Sequence, residues 1–123
     1  MPTRILVVDD SASIRHSLHS YIESQTDWEI CGEAENGSME VEMVEALWPD
    51  VVILDLSMPI MNGLDAAREI RKVAPSLYIM LYTLHVYPHL MEEAQKVGIN
   101  DVLSKSQAAG SDLLHAIRSS LAA

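Results

Sequence analysis

The chain has 123 residues, 49% of them hydrophobic and 21% charged, and eight Lys or Arg against eighteen Asp or Glu leave a formal net charge of −10. That balance fits one soluble domain with a real core. It speaks against direct binding to nucleic acid or to an anionic membrane, which needs a basic surface, and favours a bound cation or a basic partner.

The single cysteine, Cys31, excludes an intramolecular disulfide and fits a reducing compartment. No secretory leader is legible in Met1-Pro2-Thr3-Arg4, and no apolar run reaches the length of a membrane span, so a cytoplasmic protein is expected.

In chain order, the stretch RILVVDD opens with aliphatic residues Ile5 to Val8 and ends in two adjacent carboxylates, Asp9 and Asp10. Its β-branched residues and lack of polar alternation predict a strand covered on both faces. Ser11 or Ser13 caps the helix that follows, with Ile14, Leu18, Tyr21 and Ile22 on its apolar face. Trp28–Cys31 predicts a second strand with Cys31 as a small core residue. In the second helix Met39, Met43, Ala46 and Leu47 share a face, Val41, Val44 and Trp48 form a competing stripe, and Pro49 closes it.

Val51–Leu54 predicts a third strand, followed by a helix with Leu64, Ala67, Ile70 and Ala74 on one face and Pro75 beyond its end. Tyr78–Tyr82 predicts the fourth strand. Pro88 opens and Gly98 ends a helix carrying Leu90, Ala94 and Val97. Val102–Leu103 is a weak fifth strand, and Leu114, Ile117 and Leu121 mark a last helix capped by Ser111 or Asp112.

Five strand–helix pairs in succession predict an α/β fold: one doubly wound parallel sheet with helices on both faces, filling residues 1–123 as a single domain with no output domain. In such a sheet a ligand sits beyond the carboxyl ends of the strands, at the point where the strand order reverses. The residues standing there are Asp9 and Asp10 after the first strand, Asp55 after the third, Thr83 after the fourth and Lys105 after the fifth. Three carboxylates gathered at one rim repel unless a counter-charge is present. Lys105 supplies part of it and a hard divalent cation the rest, Mg²⁺ or alternatively Mn²⁺, since the donors are oxygens.

Asp55 stands alone in VVILDLSMPIMNG, ahead of a Pro59…Gly63 loop, and is the best nucleophile towards phosphorus, giving an aspartyl phosphate. Thr83 and Lys105 then stabilise the phosphoryl oxygens, and Asp9 and Asp10 hold the metal.

ILVVDDS, VVILDLSMPIMNG, the Thr83 strand end and DVLSKS together resemble the receiver domain of two-component response regulators, over the chain from Arg4 to about Leu121. The resemblance implies a flavodoxin-like five-stranded sheet, strand order 2-1-3-4-5, flanked by five helices. It implies Asp55 as phosphoacceptor, and Asp9, Asp10, Asp55 and the backbone carbonyl of Ser57 as Mg²⁺ ligands. Thr83 and Lys105 bind the phosphoryl group, and Thr83, Leu84 and Val102 lie in the switch region. The implied phosphodonor is a histidine kinase or phosphotransfer protein. The implied output is a downstream protein partner, a phosphorylation-dependent homodimer, or an output domain in a larger regulator. CGEAENG and GLDAAREIRK look most like receivers that precede a helix-turn-helix output domain. Self-catalysed phosphorylation and dephosphorylation are the only enzymatic activity expected.

Two departures stand out. Val102 occupies the place of the family's usual aromatic switch residue, which keeps open a phosphate-independent interaction module as the alternative. Leu84 replaces the small residue that often follows the threonine and is expected to restrict access to Asp55. A Mg²⁺-dependent phosphohydrolase is a weaker alternative, because the acid such an enzyme needs two residues after its nucleophile is here Ser57.

Overall fold

The computed structural model describes residues 2–122; Met1 and Ala123, the ends of the expected domain, lie outside them. The elements alternate throughout: β1 (Arg4–Val8), α1 (Ala12–Gln25), β2 (Glu29–Ala34), α2 (Gly37–Leu47), β3 (Val51–Leu54), α3 (Gly63–Val73), β4 (Tyr78–Thr83), α4 (Leu90–Lys96), β5 (Asp101–Ser104) and α5 (Gly110–Ala122). All five strands are parallel in one sheet of order β2-β1-β3-β4-β5, as expected of a flavodoxin-like fold. The order reverses between β1 and β3, so the ends of those two strands flank the crevice where such sheets bind ligands.

The pleat sorts the core into two layers. Leu6, Val8, Val52, Leu54, Ile79 and Leu81 pack with residues of α2, α3 and α4 on one face. Ile5, Val7, Val51, Ile53, Tyr78 and Met80 pack with α1 and α5 on the other. β3 is buried along its whole length, which is why its sequence shows no polar alternation. At the edge, β2 runs further than the apolar stretch Trp28–Cys31: it starts at Glu29 and continues through Gly32 and Glu33 to Ala34, with a register shift against β1 between Ile5 and Leu6.

Side chains cap three helices. Ser11 Oγ accepts the Ile14 N–H (3.3 Å), Asn36 Oδ1 the Met39 N–H (2.9 Å) and Asn62 Oδ1 the Asp65 N–H (2.9 Å). At α5 the expected caps, Ser111 and Asp112, instead lie inside the helix, where Asp112 reaches back to accept the Ala109 N–H at 2.8 Å. That is the returning half of a capping box. After α4, Gly98 has φ +90° and a Cβ there would come within 2.7 Å of the Arg71 side chain, so only glycine fits. Arg71 ties this turn to α3 by donating to the carbonyls of Gly98, Ala74 and Leu77.

α2 differs from the sequence reading. Its buried face is Gly37, Glu40 and Val44, not the Met39–Met43–Ala46–Leu47 stripe: Met39 and Ala46 are exposed, and Met43 is half-buried over Gly32. Of the competing stripe, Val44 is buried and Val41 packs against the core, whereas Trp48 lies 63% exposed in a left-handed C-cap (φ 48°). The pattern misled because the central inward residue is an acid.

Candidate functional site

β1 delivers Asp9 and Asp10 to the sheet's C-terminal rim, and β3 delivers Asp55 beside them. One carboxylate oxygen from each of the three lies within 4.8 Å of the others. Asp9 and Asp55 are buried, whereas Asp10 faces solvent. Backbone bonds fix the arrangement: the Asp55 N–H donates to the Val8 carbonyl (2.9 Å) and the Asp9 N–H to the Ala34 carbonyl (3.0 Å). Behind Asp55 the chain turns sharply, with the Gly63 N–H donating to the Leu56 carbonyl at 2.8 Å. A Cβ on Gly63 would lie 2.3 Å from the Asp55 carbonyl oxygen, so this approach requires glycine.

Lys105, one residue beyond β5, extends into the acids. Its Nζ stands 2.5 Å from Asp9 Oδ2 and 3.5 Å from Asp55 Oδ1, nearly sealed from solvent. The other Asp9 oxygen accepts the Ser11 N–H (2.9 Å), and Asp55 Oδ1 accepts the Leu56 N–H (2.8 Å). Burial raises the Asp55 carboxyl above its ordinary value; Lys105 opposes this, and Asp9 adds to it. Three carboxylates against the single ammonium of Lys105 leave an excess of negative charge at the rim. Three hard oxygen donors, one open to water, fit a Mg²⁺ ion that keeps part of its hydration shell.

Thr83 ends β4, fully buried, and its carbonyl accepts the Lys105 N–H at 2.9 Å, so the strand pair β4–β5 sets both residues at the rim together. The Thr83 hydroxyl oxygen accepts the His85 N–H at 3.1 Å, which leaves its own proton to donate elsewhere. Ser57 lies exposed in the loop after Asp55. Leu84 does not pack into the rim as a plug: it is 60% exposed. Val102, half-buried on β5, packs against the α2–α4 face of the core.

Arg15 escaped the sequence reading, and Glu33, visible there as an acid at the end of the second strand, has no role in it. Arg15, on the first turns of α1, donates from Nη1 to the Asp9 backbone carbonyl at 2.6 Å, and its Nε lies 3.3 Å from Glu33 Oε1. Glu33, in the CGEAENG stretch, is further bound by His19 Nδ1 at 3.0 Å. Between its two acids His19 holds its proton more tightly than an ordinary histidine, chiefly through the Glu33 hydrogen bond.

Comparison with known proteins agrees with this geometry. Residues 5–118 match the response regulator receiver domain family. The chain is 39% identical over 105 residues to the chemotaxis protein CheY of Thermotoga maritima, covering 85% of this chain and 87% of CheY. It is 52% identical over 81 residues to a protein-glutamate methylesterase/protein-glutamine glutaminase of Pyrococcus abyssi, covering 66% of this chain but only 22% of that protein. The response regulator domain of Thermotoga maritima CheB superposes over the whole chain with a TM-score of 0.90, at 31% identity and 98% coverage of that domain. No helix among the described residues is long and apolar enough to cross a membrane. With its parallel sheet ordered 2-1-3-4-5 and an acid cluster at the switch point, this chain belongs to the response regulator receiver domains of two-component systems.

Proposed function

We propose that Asp55 takes a phosphoryl group from the phosphohistidine of a histidine kinase or phosphotransfer protein, in a reaction that requires Mg²⁺. The observation that carries this reading is the buried Asp55 carboxylate beside Lys105 Nζ, at 3.5 Å, within the acid cluster at the strand-order reversal. A carboxylate oxygen of Asp55 attacks phosphorus as the P–N bond breaks, and the imidazole leaves with the bonding pair and takes up a proton.

Lys105 shifts from Asp9 towards the phosphoryl oxygens, and the Thr83 hydroxyl donates its free proton to one of them. Asp9, Asp10, Asp55 and the Ser57 carbonyl are the groups that hold the metal, which when bound neutralises charge on the transferring group. The product's added charge biases the β4–α4 region between two conformations that a partner reads. That partner is a downstream protein, a second copy of the chain, or an output domain joined to it. Turnover is confined to the chain's own phosphorylation and its hydrolysis, and the compartment is the cytoplasm.

Mass spectrometry of the intact chain after incubation with acetyl phosphate tests the reading. One phosphoryl increment is expected with Mg²⁺, none with chelator, and none in Asp55→Asn. Full labelling of Asp55→Asn removes Asp55 from the role.

A further inference from the structure

Asp10 presents an exposed carboxylate, so its aim depends on the peptide that carries it. The neighbouring acid is pinned at both oxygens, by Lys105 and by the Ser11 N–H. The carbonyl between the two acids is gripped from the side by Arg15, at 2.6 Å. Arg15 is in turn steadied by Glu33 of β2, and it is well buried for an arginine, with 16% of its side chain exposed. A planar guanidinium that donates in two directions at once fixes the carbonyl more firmly than a flexible ammonium does. The bond crosses from α1 to the end of β1 and on to β2, so it ties the helix to the sheet at the level of the acids. From this we infer that Arg15 is a positioning residue for the Asp9–Asp10 metal clamp, with Glu33 of the CGEAENG stretch as its brace.

The inference rests on the proposed role of Asp9 and Asp10 as Mg²⁺ ligands and adds a cause for their geometry. Groups that orient metal ligands without touching the metal commonly change affinity by about tenfold or more when removed. Freed from Arg15, the Asp9–Asp10 peptide samples orientations in which Asp10 points away from Asp55, and each such state weakens binding in proportion to its population. The chemistry after binding is untouched, because Arg15 donates to the backbone carbonyl and not to the reacting carboxylate.

The test is Mg²⁺ titration of the whole chain by calorimetry and by amide NMR, with no phosphodonor present. Arg15→Met keeps the aliphatic stem and loses the donors; its Mg²⁺ dissociation constant is expected to rise about tenfold. Arg15→Lys restores a donor without the planar two-way grip and is expected to recover only part of the loss, and Glu33→Gln to shift affinity in the same direction by less. Thermal melting in chelator checks that each variant folds. In acetyl phosphate labelling, the Mg²⁺ concentration for half-maximal rate rises in Arg15→Met while the rate at saturating Mg²⁺ matches wild type. Wild-type affinity in Arg15→Met, or a fall in the saturated rate with no shift in half-saturation, overturns the inference alone. Absence of Mg²⁺ binding by the wild-type chain overturns it together with the clamp.

Discussion

Glu40 makes the sharpest test of how this core is built. It is fully buried on the inner face of α2, and neither carboxyl oxygen finds a hydrogen-bond partner among the described residues. Burial therefore pushes its pKa well above the ordinary value of 4.5. The folded chain keeps a proton there that the unfolded chain has already released. The unfolded state binds fewer protons, so stability falls as pH rises. The contribution is intact below about pH 4.5 and is lost progressively until the raised native pKa is passed, at about 1.4 kcal/mol per pH unit at 25 °C.

Glu40→Gln removes the titration and keeps the shape. Urea denaturation between pH 5 and 8 is therefore expected to show wild-type stability falling relative to the variant as pH rises, by up to about 1.4 kcal/mol per pH unit while the pH lies below the raised native pKa. Glu40→Met also removes the unpartnered oxygens and is expected to stabilise at pH 7 by at least about 1–3 kcal/mol. Parallel pH curves for wild type and Glu40→Gln would refute the reasoning, since they would mean that Glu40 is paired or solvated in the folded chain.

Asp10→Ala is expected to weaken Mg²⁺ binding severely while leaving the melting temperature in chelator unchanged or raised, because one of three clustered carboxylates is gone. A large loss of melting temperature in chelator would count against the clamp. Leu84→Ala is expected to cost little stability, since the side chain is 60% exposed. Because Leu84 does not plug the rim, the acyl phosphate of this variant is expected to decay at the wild-type rate; a markedly shorter half-life would show that Leu84 shields Asp55 from water after all.

What could be read from the chain beforehand follows physical lines. β1 and β3 were legible because burial on both faces leaves uninterrupted aliphatic runs, and their acids were legible because a β-α alternation sends every strand end to one rim. β2 was only half legible: as an edge strand it carries Glu29 and Glu33, and its apolar run stops at Cys31 while the backbone continues to Ala34. α2 was misread because a charged residue at helical spacing signals a solvent face, and Glu40 sits on the inner one. Arg15 and Glu33 are separated by eighteen residues and meet only through the β1–β2 pairing, so no local pattern announces them. The kind of output is illegible for another reason: the same scaffold matches CheY over most of its length and a methylesterase over about a fifth.

Val102 bears on how a signal leaves the site. A valine has no polar tip and few rotamers, so it cannot swing between a buried and an exposed hydrogen-bonded position as a tyrosine can. The geometry around Thr83 offers a shorter route. Its hydroxyl oxygen already holds the His85 N–H, so turning that hydroxyl towards a phosphoryl group on Asp55 perturbs the first residues of the β4–α4 loop directly. Leu84, Val86 and Tyr87 lie there, exposed and apolar, with Met91 exposed on the first turn of α4, and Tyr87 is tied to α4 through its hydroxyl on Glu93 at 2.5 Å. In the proposed cycle a change at Thr83 thus reaches this surface through one hydrogen bond, from the His85 N–H to the Thr83 hydroxyl, with Lys105 and Thr83 already coupled across β4 and β5. A partner that binds one arrangement of the loop more tightly than the other then shifts the population, and by linkage favours phosphorylated Asp55 to the same degree.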